Sequence, residues 1–439
     1  MILSKTSMTL ALLLVSTSIS FASVEHETAA SHKTSIHGHK YNLVRDKDRP
    51  HILAALSNHP AAEKGKTVMA AFKSAPATLP TSWDIRTAIP NAATCFTPYD
   101  QGQLGSCTAN AAAGALHYKN LLAQAQASIK GTTTPSYPTP SRMFIYYNER
   151  SADGGGVTQD VGASIADSIL AISNYGAPSE SGKTPPFGSA WPYSDITSGK
   201  NPPFTVKPSD LCYSAALADM DLDTGVASIA QDDNVVTNFK KALIANNPVL
   251  IGIDVYDSFE SDAVAATGIV PMPDTSIEDI LGGHGLMVVG YNTNPKAPNT
   301  FTVRNSWGTG WGDKGYCYIP YDYFTLENGL ASDFWSVGKV GAKKATPVKF
   351  SVKTTTSYGQ NVYVSGNTPE LGCWDTAQAM LLSSQNYPTW TGSVTVPSGQ
   401  TIQYKYIKKN GNKVQWLGGE NLSHNHSATN ENLASFTWM

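Results

Sequence analysis

Hydrophobic and polar positions alternate in different ways along the chain, and the changes mark its segments. An apolar run from Met8 to Val15 follows Lys5 and ends in Ser20-Phe21-Ala22, with small residues placed as a signal-cleavage site requires. The run is too short to span a bilayer, so residues 1–22 are expected to be a secretory signal peptide. Residues 23–78 are polar and carry six histidines, His26, His32, His37, His39, His51 and His59. Within them, the spacing of Ile52, Leu53, Leu56, Val68, Ala71 and Phe72 predicts one or two short amphipathic helices. Pro76 and Pro80 close that stretch.

From 79 to 338 the helix period comes first and the strand period second. Helices are expected over Ser106–Gln126, over Val161–Tyr175 with Ile165, Ile169 and Ile172 on one face, and over Val235–Asn246, stopped by Asn247-Pro248. Apolar alternation then predicts strands at 249–255, 285–291, 300–304 and 315–319. Helices before strands is an α+β order. Residues 339–347 read as a linker. Residues 348–439 show only strand signals, at 348–352, 361–364, 392–396 and 401–407, the pattern of a small all-β sandwich.

Composition adds context. The formal charge of −3 gives no electrostatic reason to expect nucleic acid or an anionic membrane as partner. Charged residues make up 15% against roughly 25% in an average soluble domain, a bias common in exported chains. A mature protein that is secreted or periplasmic, free of the membrane and monomeric is the expectation. The His-rich tract reads as a solvated leader rather than a metal site, because its spacings are irregular. No metal or cofactor is expected. The five cysteines, Cys95, Cys107, Cys212, Cys317 and Cys373, are odd in number, so at least one thiol stays free. With one set aside, the other four allow three disulfide pairings.

Cys107 is the thiol with chemistry around it. It follows Gly102, Gly105 and Ser106 and opens a helix pattern, and the positive end of a helix dipole favours thiolate over thiol. A thiol nucleophile needs a base. His117 lies about 15 Å further along the same helix and is out of reach. His424 and His426 belong to the C-terminal module. His284 remains, between Gly283 and Gly285 at the start of a strongly apolar strand. The base needs an orienting group, and Asn305 accepts a hydrogen bond without adding charge. Trp307 is placed to shield it.

Gln101-Gly-Gln-Leu-Gly-Ser-Cys107, Gly283-His-Gly-Leu-Met-Val-Val-Gly-Tyr291 and Arg304-Asn-Ser-Trp-Gly-Thr-Gly-Trp-Gly312 resemble, in that order, the nucleophile, histidine and asparagine segments of the papain family of cysteine peptidases. The resemblance covers about residues 79–338. It implies a two-lobed fold, a helical lobe and a β-barrel-like lobe, acting as an endopeptidase on peptide or protein substrates. It makes Cys107 the nucleophile, His284 the base, Asn305 its orienter and Gln101 an oxyanion donor beside the Cys107 N–H. Leu79-Pro-Thr-Ser-Trp-Asp84 is similar to the start of mature members, so 23–78 would be an inhibitory prosegment of a zymogen. There are departures. Leu104 and Thr108 stand where the family has a cysteine and an aromatic residue, and His284 follows Cys107 by more than the family's roughly 130–150 residues. Insertions are expected at Lys130–Ser141 and Asp257–Gly282, and Gly154–Gly156 and Gly162 are candidates for the groove. A catalytically silent carbohydrate-binding member, or a transferase or exopeptidase using the same thiol, remains open at this stage.

Leu371-Gly-Cys-Trp-Asp375, Trp390, Tyr404-Lys-Tyr-Ile407 and Val414-Gln-Trp416 resemble the family 20 starch-binding module, an immunoglobulin-like sandwich. The resemblance implies a starch-like glucan or glycan as ligand. One site would join Trp374, Trp416, Lys405 and Asn421, since flat aromatic faces stack on the C–H face of a glucose ring. A second would use Trp390 and Tyr387.

Overall fold

The computed structural model describes residues 38–438 except 74–75, 77, 128–136, 153–155, 183–187, 220–224, 326, 339–344, 367–368, 375, 378, 398–400, 412, 427–430 and 434. The signal peptide and the histidines His26, His32 and His37 fall outside them. Among the described residues, no helix is long and apolar enough to cross a membrane.

The helix predicted at Cys107 spans Cys107–Ala127, and its first thirteen residues are buried. A helix enclosed all round is mainly apolar, its buried Thr108, Asn110, His117 and Lys119 are hydrogen-bonded, and alanine and glycine let its neighbours come close. A Cβ on Gly114 would stand 2.7 Å from the Arg304 guanidinium. The next helix, Arg142–Ser151, was not legible as a period. It begins where the Ser141 hydroxyl accepts from the Phe144 N–H. Helix Ile165–Asn174 starts at a capping box in which Ser164 and Asp167 each accept from the other's backbone. Val235–Ile244 is close to expectation.

These helices pack on an antiparallel sheet ordered Val226–Ser228, Ala331–Val337, Val249–Tyr256, Ile280–Tyr291, Thr300–Arg304, Tyr316–Pro320, with Trp83–Asp84 added beside Tyr291 and Gly290. Among the described strands the sheet does not close on itself, so the barrel-like β lobe is open and not a closed barrel. One core joins helices and sheet, and the helix that opens at Cys107 lies against the strand that carries His284.

Residues 38–49 run across that junction. The Leu43 N–H donates to Gly283 O and the Val44 N–H to Ala163 O, both at 3.0 Å. Helices Pro50–Ser57 and Pro60–Lys73 follow, as the spacing of 51–72 predicts.

The C-terminal module is a sandwich of two five-stranded sheets. One is built on Asn361–Gly366 and Thr401–Asn410, the other on Ala345–Lys353 and Thr389–Pro397. Val348, Phe350, Val364, Trp390, Ile402 and Tyr406 are among the residues of its core.

Cys95, Cys107, Cys212 and Cys317 are all free thiols, which corrects the expected disulfides. Each is held within a separate element. Cys95 points at the carbonyls of Pro90 and Asn91, Cys212 accepts from the Ser209 hydroxyl, and Cys317 is buried inside the sheet. The side chain of Cys373 lies outside the described residues.

Candidate active site

The loop before Cys107 is fastened from several sides. The Gln101 N–H donates to Ser306 O at 2.8 Å, and the Gly105 N–H reaches both oxygens of the Asp160 carboxylate at 3.1 Å. Tyr193 donates to Gln101 O, and Arg142 donates to Asp100 O. The loop therefore delivers Cys107 to the helix start in one conformation.

The opposite wall is the strand Ile280–Tyr291. Main-chain hydrogen bonds from Gly285, Thr108 and Asn42 reach the Cys107 thiol. A Cβ on Gly285 would lie 3.3 Å from the Thr108 backbone, so glycine there lets the two elements touch. His284, one residue earlier, is fully buried. Its Nε2 is 2.9 Å from Asn305 Oδ1. That oxygen also accepts from the Ser306 N–H at 2.7 Å, which orients the amide. Nε2 is therefore the protonated nitrogen, and Nδ1, which has no hydrogen-bond partner, keeps its lone pair for a proton. Trp307 lies flat over the imidazole, with ring centroids 4.9 Å apart and 17° between planes. The structure thus gathers the neighbourhoods of Cys107, His284 and Asn305 at one groove.

Gln101 is in the same place. Its Oε1 accepts from the Ser306 hydroxyl at 2.6 Å, which turns Nε2 toward Leu104 O at 3.0 Å and Lys40 O at 3.4 Å.

The thiol is not activated in this state. Burial pushes the Cys107 thiol up to about 11, outweighing the main-chain donors that favour thiolate. Burial holds His284 down to about 4, against the Asn305 hydrogen bond that raises it. The helix-dipole expectation is overridden because residues 38–49 exclude water. Tyr41 sets its edge on His284 and Trp307, and the Gly162 position holds no room for a Cβ, which would fall 1.6 Å from Asn42 O.

Three further residues were not found from the sequence. Buried Glu149 accepts from the Thr108 hydroxyl at 2.9 Å, so Thr108 takes its place between a helix and the histidine strand. Asp160 and Glu260 also face the groove segments. Isolated acidic residues carry no pattern signal, and only packing brings them in. Among the described residues no three His, Cys, Asp or Glu side chains gather as a metal site.

In the module, Trp374 and Trp416 stand 6.3 Å apart at 42°, and Trp416 is 40% exposed. Lys405 donates to Gly419 O at 2.6 Å, and Asn421 is exposed nearby in sequence. Trp390 departs from expectation. It is 4% exposed within the sandwich core and has no free face to stack on a sugar, whereas Tyr387 beside it is 53% exposed.

Comparison with known proteins agrees with this division. A papain family cysteine protease profile matches residues 184–332, and a starch binding domain profile matches 345–435. An uncharacterized peptidase C1-like protein, L477, of Acanthamoeba polyphaga mimivirus is 39% identical over 244 residues, 55% of this chain and 69% of that protein. Xylellain, a cysteine protease from Xylella fastidiosa, is 33% identical, with 60% of this chain and 88% of that one covered at a TM-score of 0.48. A cyclomaltodextrin glucanotransferase of Thermoanaerobacterium thermosulfurigenes is 44% identical over 97 residues, which are 21% of this chain and 14% of that enzyme. The chain belongs to the papain family of cysteine peptidases and carries a C-terminal starch-binding domain.

Proposed function

We propose that the protein is an exported endopeptidase made as a proenzyme, working through Cys107, His284 and Asn305 and tethered by its C-terminal module to a starch-like glucan. The observation that carries the reading is the His284 imidazole, fixed by Asn305 beneath Trp307 with Nδ1 unspent, on the strand whose Gly285 touches Cys107 and Thr108.

In this mechanism His284 Nδ1 takes the Cys107 proton and the sulfur attacks the scissile carbonyl carbon. The oxyanion accepts from the Cys107 N–H and Gln101 Nε2. His284 then gives the proton to the leaving amine as the C–N bond breaks. Water, deprotonated by the same nitrogen, hydrolyses the thioester and returns the thiol. Asn305 holds the tautomer and ring plane throughout.

Residues 38–49 fill the groove that a substrate needs. Lys40 O accepts a hydrogen bond from the Gln101 side-chain amide, and Asn42 covers the thiol. Activation therefore requires this segment to leave, and 23–78 serves as the prosegment. In the module, Trp374, Trp416, Lys405 and Asn421 supply the sugar site, and Trp390 is a core residue.

Peptide-library cleavage after removal of 23–78, with Cys107→Ala as control, tests the reading. A thiol-directed epoxide should label Cys107 in the processed enzyme and far more slowly in the full chain. Folded, processed protein that cleaves no peptide refutes it.

A further inference from the structure

Glu260 ends the short helical turn Asp257–Glu260, and its side chain has no exposed surface. Its carboxylate meets His39 Nδ1, at 2.9 and 3.2 Å from the two oxygens, and no other described side chain pairs with it. The His39 ring lies on the Trp307 indole, 3.9 Å between centroids and 7° between planes. Trp307 in turn covers His284 on the peptidase side of the groove. Glu260 and Trp307 belong to the enzyme body. His39 belongs to the segment that must leave.

We propose that, once His39 has gone, Glu260 and the face of Trp307 form a subsite that selects an arginine side chain of the substrate on the leaving-group side of the scissile bond. The proposal rests on the peptidase reading above. Displacing His39 strips a buried carboxylate of its partner and bares an aromatic face beside it. A carboxylate left without its partner at the wall of the groove favours an occupant of positive charge over a neutral or negative one.

Shape narrows the choice further. The present occupant is a flat ring that lies on the indole while one nitrogen serves both carboxylate oxygens. A guanidinium has the same flat face and two parallel N–H groups, which match a carboxylate in bidentate fashion. It also gains from the indole face beneath it. A lysine ammonium supplies charge as a point, without the face.

The side of the bond follows from the chemistry. Along the segment, His39 lies on Trp307 and Glu260, Tyr41 on His284, Asn42 on Cys107, and Leu43 and Val44 on Gly283 and Ala163. The reacting pair thus divides the groove into two arms. His284 must protonate the leaving amine, so the arm beyond His284 receives the leaving group.

Two measurements test this. In the first, processed enzyme is titrated with a thiol-directed epoxide to count active sites. It is then given fluorogenic peptides with Arg, Lys, norleucine or Glu at each of the first three positions after the scissile bond. At one position kcat/KM for Arg should exceed that for norleucine roughly 10–100-fold, with Lys between. The ratio should fall toward one in Glu260→Gln and turn in favour of Glu in Glu260→Arg. Equal values for Arg and norleucine at all three positions overturn the subsite. Failure to cleave any peptide overturns the peptidase reading instead.

The second measurement needs no turnover. In the full chain, His39→Arg should slow Cys107 labelling about tenfold and His39→Ala should speed it. If the two variants label equally fast, the arginine site is refuted whatever the peptides show.

Discussion

Acidity should tighten the hold of residues 38–49 on the groove, and Asp46 is the main reason. Asp46 is buried and accepts from the Ala166 N–H at 2.8 Å and from Trp335 Nε1 at 2.7 Å. Burial, reinforced by the Asp333 carboxylate, pushes its carboxyl up from 3.8 to about 6, while those donors and Ser164 oppose the rise. In the released segment the group is solvated and returns to its ordinary value. Between pH 3.8 and 6 the docked form therefore holds a proton that the released form has lost. Docking is favoured below that window and weakens as pH rises through it. The gap of about two pKa units is worth about 3 kcal/mol, a docking constant roughly a hundredfold weaker at pH 7 than at pH 4. Asp333 beside it is likewise raised by burial and held down by Arg45. The segment is also tied down by ion pairs of Arg45 with Asp254 and of Arg49 with Asp167, the latter at 3.5 Å. The assay is hydrogen exchange at the Leu43 and Val44 amides in full-length Cys107→Ser, which cannot process itself, divided by the intrinsic rate at each pH. Protection should fall about a hundredfold from pH 4 to 7. In Asp46→Asn, an amide group would face one of the two N–H donors, so protection should be low throughout. Protection in the parent protein that is flat or rises with pH would refute the reasoning.

Other outcomes follow from single contacts. In Gly162→Ala, φ of +72° and a Cβ 1.6 Å from Asn42 O should unseat the segment, so that Cys107 in the full chain is labelled at least about tenfold faster, at a strain cost of about 1–2 kcal/mol. Trp416→Ala should abolish retention on a starch column without moving the thermal midpoint, whereas Trp390→Ala should lower the module's stability by about 3–5 kcal/mol, measured by denaturant unfolding. Because Cys95, Cys107, Cys212 and Cys317 are free, a reducing agent should leave the melting temperature unchanged, and a fall of several degrees would contradict the thiol assignment.

Much of the fold is legible in periodicity because long elements bury one face or all faces. The helix at Cys107 and the strands at 249, 280 and 300 fall within a few residues of expectation. Helix Arg142–Ser151 was missed, since its buried face includes Arg142, Asn148, Glu149 and Arg150, polar residues whose partners include distant ones such as Glu180 and Thr108. That the β half stays open among the described strands depends on how the edge strands meet, which no single strand's pattern records.

The candidate nucleophile, base and orienter could be named from the chain alone, because few residue types do that chemistry and elimination leaves few choices. Local pattern also separated the module and its exposed Trp416. What required three dimensions was environment. Folding decided that Trp390 is core, that Cys95, Cys107, Cys212 and Cys317 stay unpaired, and that burial reverses the thiol's expected acidity. It also set His39 between Glu260 and Trp307, residues far apart in sequence. Sequence spacing determines local conformation and which face is apolar, whereas a pKa, a free sugar-binding face or a filled groove depends on atoms that meet only after the chain has closed on itself.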